Sequence, residues 1–186
     1  AGKFRTLQPG VHLLPCFLAS IALAHKFEIR IKDMQEVISK FKLDSRLQIL
    51  KLDNDITIID DSYNSGPSAL KGALNLLKDS KNYKVAILGD MNELGKLSNQ
   101  LHLEIGTLVT TDIDEVICLG KQSSIIFHKI KNNALIKSKH FIDIEELNAY
   151  LSIQNYKNST ILIKGSRTLK MENIVQKFIQ LNSMRD

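Results

Sequence analysis

The stretch Lys84-Val85-Ala86-Ile87-Leu88-Gly89-Asp90-Met91-Asn92-Glu93-Leu94-Gly95 decides the fold. Its opening is a short apolar run, the pattern of a strand covered on both faces. A polar loop with two glycines follows. Ser98 to Thr110 then places Leu101, Ile105, Leu108 and Val109 on one helical side, and Glu115-Val116-Ile117-Cys118-Leu119 is a second apolar strand. Strand, helix and strand in that order predict a parallel pair joined by a right-handed crossover.

The same alternation extends outward in both directions. Downstream, Ser123 to Ile130 reads as a helix, Lys139-His140-Phe141-Ile142 as a short strand and Ile144 to Leu151 as a helix. Thr160-Ile161-Leu162-Ile163 reads as a strand and Leu169 to Leu181 as the closing helix. Upstream, Pro67 to Asp79 turns Leu70, Ala73, Leu74 and Leu77 toward a core. Before it, Leu47 to Leu52 and Ile56 to Ile59 flank Asp53-Asn54-Asp55, a hairpin signal. The pattern predicts the α/β class: a Rossmann-like, doubly wound, mostly parallel sheet with one antiparallel hairpin strand.

Residues 1–43 read differently. Pro15 suits the first turn of a helix running on through Ala24. A second helix is predicted after Asp33, taken as its N-cap, with Met34, Val37, Ile38 and Phe41 on one face. Two helices cannot bury their own apolar faces, so they must lean on the rest of the chain or on something missing. The boundary falls near Leu43 to Arg46, dividing a helical segment, 1–44, from a domain over 45–186. Ala1-Gly2-Lys3-Phe4 is neither a start methionine nor a secretion signal, and the expectation is a chain that starts inside a larger protein.

Composition narrows the function. With 44% hydrophobic residues the chain is too apolar for disorder, and no apolar run reaches the roughly 18–20 residues that cross a bilayer. Cys16 and Cys118 alone make neither a disulfide framework nor a zinc site, which points to a reducing compartment. The net charge of +5 comes from scattered lysines with few aromatics between them, the mark of a solvated surface rather than of nucleic-acid binding. An anionic small substrate such as a nucleotide fits that charge as well as DNA does.

Ligands of parallel sheets bind beyond the carboxyl ends of the strands. Four loops follow such ends: Asp60-Asp61-Ser62-Tyr63-Asn64-Ser65-Gly66-Pro67, Gly89 to Gly95, Gly120-Lys121-Gln122-Ser123, and Lys164-Gly165-Ser166-Arg167. Together they predict a single polar rim with two cationic corners. Taken singly, each has a plain alternative. Asp61-Ser62 can simply end a strand, and Ser166 can cap a helix. His102 reads as a packed core histidine, Cys118 as buried and inert. His12, His25, His128 and His140 lack metal-ligand spacing. Neither G-x-x-x-x-G-K-[ST] nor G-x-G-x-x-G occurs, so no phosphate loop and no ordinary NAD site is expected.

In order, these loops, with Leu101-His102, Gly106 and Met171-Glu172, closely resemble the C-terminal domain of the Mur ligases, in particular the MurF type. The resemblance covers about residues 45–182. Pro9-Gly10-Val11-His12 and the following helix resemble the end of that family's central ATPase domain.

The resemblance implies an ATP-dependent amide-bond ligase that adds D-alanyl-D-alanine to UDP-N-acetylmuramoyl-tripeptide through an acyl phosphate, in peptidoglycan synthesis. It implies ATP and magnesium held mainly by a central domain, and a cytoplasmic, monomeric enzyme with no nucleic-acid or membrane partner. It also implies that this chain is inactive alone. By the same resemblance Arg46 reaches the ATP and Asp61 contacts its ribose. Tyr63, Asn64 and Ser65 face the reaction centre or dipeptide, and Lys164, Ser166 and Arg167 lie near the incoming amine. No metal ligand and no certain catalytic residue is assigned.

The sequence departs from the family pattern at Ser45, where Gly is usual before Arg46-Leu47. It departs again at Gly66, where Asn is usual, and at Leu13 and Cys16, near which asparagines are usual. Two alternatives stand beside this reading. One is another Mur-type or folylpolyglutamate ligase; the other is a non-catalytic binding module, such as a scaffold or a basic nucleic-acid binder.

Overall fold

The computed structural model describes residues 2–183. The terminal residues of both expected segments, and the side chain of His12, lie outside the described residues. Six strands form one sheet: β1 (Gln48–Leu52), β2 (Ile56–Asp61), β3 (Tyr83–Gly89), β4 (Glu115–Leu119), β5 (Lys137–Phe141) and β6 (Ser159–Lys164). Their spatial order is β1-β2-β6-β3-β4-β5, and only the β1–β2 pair is antiparallel. The sheet is thus mostly parallel with a hairpin strand at one edge, as the sequence predicts.

The helices are α1 (Leu14–Lys26), α2 (Ile31–Lys40), α3 (Pro67–Lys78), α4 (Ser98–Leu108), α5 (Ser124–Ile130), α6 (Ile144–Ser152) and α7 (Glu172–Ser183). Side chains alternate across a strand, so β3 serves two cores. Ala86 and Leu88 join Val116, Cys118 and Leu162 against Leu70, Leu74 and Leu77 of α3, Ile105 of α4 and Ile126 of α5. Val85 and Ile87 join Ile58, Ile117, Ile161 and Ile163 against Leu147 and Leu151 of α6 and Ile174, Val175 and Phe178 of α7. Helices on both faces are why these strands read as unbroken apolar runs. Burying each such Leu or Ile contributes roughly 1.5–3 kcal/mol.

Several boundaries differ from expectation. Asp33 is not an N-cap: α2 starts at Ile31, and the Asp33 carboxylate in its first turn accepts from the Arg30 guanidinium at 2.8 and 3.0 Å. Leu47 is not a strand residue, because its φ of 51° is left-handed. The edge strand β5 begins two residues early, since edge exposure leaves it little apolar pattern. Leu169 ends a 3₁₀ turn, Arg167–Leu169, and Lys170 at φ 49° separates that turn from α7.

The first 44 residues meet the sheet domain at few points. Leu13 packs on the α3 side of the core. The buried Gln8 side chain spans the linker, donating to the Arg46 carbonyl and accepting from the Leu43 amide. Otherwise α1 has no buried residue, and Leu18 (64%), Phe27 (72%) and Val37 (65%) stand exposed.

Candidate functional site

Strands β2, β6, β3 and β4 run parallel, so the loops after all four emerge at one sheet edge. Hydrogen bonds stitch them together. Ser166 donates its amide to the Asp90 carbonyl at 2.9 Å, and the Asn92 amide donates to Ser166 Oγ at 2.7 Å. Asp90 Oδ1 accepts from the Ser123 amide at 2.7 Å. Gly120, at φ 109°, is required here: a Cβ would lie 2.5 Å from that Asp90 carboxylate. Gly89 and Gly165 let β3 and β6 close up, since a Cβ on Gly165 would come within 2.9 Å of Gly89 Cα.

Asp61 ends β2 and is buried. Its Oδ2 pairs with Lys164 Nζ at 2.7 Å, and its Oδ1 accepts from the Leu47 amide at 3.2 Å. The same ammonium donates to the Asn64 carbonyl at 2.8 Å. Tyr63 donates its amide to the Ser45 carbonyl at 3.0 Å. The Arg46 guanidinium lies 4.4 Å from the Tyr63 ring centre and that of Arg167 lies 5.5 Å from it. Arg167 also pairs with Glu172 at 3.1 Å.

Between the linker and these loops lies a cavity of about 420 Å³. Arg46, Asp61, Asn64, Ser65, Asn92, Glu93 and Lys164 supply its polar wall, and Leu13, Leu43, Leu47 and Leu94 its apolar one. The Ser65 hydroxyl is buried with no hydrogen-bond partner among the described residues. A buried hydroxyl without a partner is costly, which suits a wall that a polar ligand completes. No group of three His, Cys, Asp or Glu among the described residues could hold a metal ion. No described helix is long and apolar enough to cross a membrane.

Five of the eight residues singled out from the sequence line this cavity: Arg46, Asp61, Asn64, Ser65 and Lys164. Tyr63 and Arg167 stack beside it. Two expectations change. Lys164 is not a solvated corner, because its side chain is 2% exposed and ion-paired. Ser166 makes no side-chain cap on the turn that follows it, because its hydroxyl accepts from Asn92.

His102 is a core residue as expected, with Nδ1 on the Ser98 carbonyl at 2.8 Å and Nε2 accepting from the Met91 amide at 3.0 Å. Cys118 is wholly buried, which pushes its thiol well above the usual range. Asn92, Glu93 and Gln8, which braces the linker, had no individual signal in the sequence; Asp90 carried only the weak one of a strand-ending Gly-Asp.

Another buried acid, Glu115, opens β4 at the opposite end of the strands. Lys137 at 3.1 Å and the Tyr150 hydroxyl at 2.9 Å satisfy it. Burial there also pushes the Tyr83, Tyr150 and Tyr156 hydroxyls up.

The family profile described as "Mur ligase, glutamate ligase domain" matches residues 45–167. The chain belongs to the Mur ligase family. It is 32% identical over 176 residues to the UDP-N-acetylmuramoyl-tripeptide–D-alanyl-D-alanine ligase of Bacillus subtilis, covering 92% of this chain and 38% of the relative. It is 35% identical over 172 residues to the ligase of the same name from Buchnera aphidicola of Acyrthosiphon pisum, covering 88% and 36%.

Among solved structures, MurF from Acinetobacter baumannii superposes with a TM-score of 0.82 at 25% identity, covering 95% of this chain and 39% of that one. MurF from Thermotoga maritima, solved in complex with ADP, shares the fold at a TM-score of 0.79 and 22% identity, covering 96% and 40%. This Mur ligase chain therefore spans less than two fifths of the curated relatives' length. Its likeness to MurF-type ligases, read from these loops, is what the relatives also show.

Proposed function

We propose that this chain is the C-terminal part of a MurF-type ligase, which joins D-alanyl-D-alanine to UDP-N-acetylmuramoyl-tripeptide in peptidoglycan synthesis. The observation that carries this is the cavity at the linker, where Arg46, Asp61, Lys164 and the partnerless Ser65 hydroxyl meet. On this reading, residues 1–44 end a central ATPase domain. The exposed apolar face of α1 and α2 supports that assignment.

The donor set fits a nucleotide at its edge rather than a metal. Arg46 offers a guanidinium to phosphate oxygens, and Asp61 offers a carboxylate to ribose hydroxyls. ATP with magnesium, when bound, supplies the phosphoryl group that activates the substrate carboxylate. Tyr63, Asn64, Ser65 and Arg167 then face the dipeptide side and orient the attacking amine. Lys164 and Ser166 belong to the same side through the loops they hold. Closure of the rim over the cavity keeps water from the activated carboxylate, which water would otherwise hydrolyse. The enzyme so described is cytoplasmic and monomeric.

The test is a panel of amines given to the full-length protein with ATP, magnesium and UDP-N-acetylmuramoyl-tripeptide. D-alanyl-D-alanine should be the amine ligated, with ADP and phosphate formed in step. Preference for a single amino acid or for glutamate would assign the chain to another Mur-type or folylpolyglutamate ligase. Binding without turnover of any amine would favour a non-catalytic module.

A further inference from the structure

Lys164 is the largest fully buried side chain among the described residues, and it is charged. A buried ammonium survives only where its donors are matched, and this one meets Asp61 Oδ2 and the Asn64 carbonyl. Asp61 in turn spends its second oxygen on the Leu47 amide. That amide belongs to a linker turn in which Ser45 and Leu47 both hold left-handed φ angles, 52° and 51°, on either side of Arg46. Such angles are strained for residues with a Cβ and persist only when the surroundings enforce them. Here the Asp61 bond to Leu47 N and the Tyr63 amide bond to Ser45 O grip the turn from the β2 side. Both residues lie on the segment that Lys164 fastens from β6.

We propose that Lys164 is a positioning residue rather than a substrate contact. It holds the Asp61 carboxylate in register with the Leu47 amide, and so sets the linker turn that presents Arg46 to the cavity. The chain of contacts runs from β6 through β2 into the linker, and its effect is exerted through Asp61. This inference rests on the proposed function only where nucleotide is used as the readout.

The test is a double-mutant cycle in the full-length protein with Lys164→Met, Asp61→Asn and the pair. MgADP affinity is read by titration calorimetry, and Leu47 amide protection by hydrogen exchange. If Lys164 acts through Asp61, each single change weakens MgADP roughly tenfold and the pair weakens it no further. Leu47 should exchange roughly tenfold faster in the Lys164→Met protein.

Losses that multiply in the pair, or a Lys164→Met protein with normal MgADP affinity and a raised KM for D-alanyl-D-alanine alone, would overturn the proposal. Unchanged Leu47 protection would overturn it too. Should Lys164→Met strand the Asp61 charge and fail to fold, the pair, which removes both charges, is compared with Asp61→Asn. Equal MgADP affinity supports the proposal and a further loss refutes it. The Leu47 readout needs no nucleotide. A protein showing the Leu47 effect yet ligating no D-alanyl-D-alanine would therefore refute the reaction assigned above while leaving the role of Lys164 standing.

Discussion

Ser45 holds a left-handed backbone where a glycine would hold it without strain. A left-handed residue with a Cβ costs roughly 1–2 kcal/mol, part of which glycine gives back by loosening the unfolded chain. Ser45→Gly should therefore raise stability by about 0.5–1 kcal/mol, read as a higher denaturant midpoint with an unchanged slope. A loss of stability would mean that the Ser45 side chain contributes something the backbone angle hides.

Other residues show why some of the site was legible and some not. Asp61 and Asn64 could be picked out because they sit in a polar cluster directly after an apolar strand. The burial of Lys164 could not be read. It depends on β6 lying beside β2, strands about a hundred residues apart in the chain, and no local pattern encodes that adjacency.

At the scale of elements, strands and helices with two covered faces were the clearest, because burial on both sides leaves an unbroken apolar run. The edges were less clear. Strand β5 is exposed at alternate residues and carries Lys137, Lys139 and His140, so its start was hidden. Helix α2 begins before Asp33, because the carboxylate there pairs with Arg30 at 82% and 45% side-chain exposure instead of capping.

Helices α1 and α2 keep an exposed apolar face. Leu18 is 64% exposed in this chain, so Leu18→Glu should change the stability of the 186-residue chain by no more than about 0.5 kcal/mol. In the full-length protein the same change should lower the melting temperature measurably, since the proposed central domain covers that face. Equal effects in both would remove the case for a covered face.

Across the whole molecule, the sheet order delivers four loops to one edge, and the linker turn walls the cavity together with the loops after β2 and β3 and with Lys164 at the end of β6. Resemblance to the Mur ligases could be read from the loops in sequence order. Their convergence needed the crossovers, and the cavity needed the linker. The most direct measurement is formation of the UDP-N-acetylmuramoyl-pentapeptide by the full-length protein, wild type beside Asp61→Ala, from UDP-N-acetylmuramoyl-tripeptide and D-alanyl-D-alanine with ATP and magnesium. Product should form with the wild type and not with the variant; full activity of Asp61→Ala would contradict the placement of the reaction at this cavity.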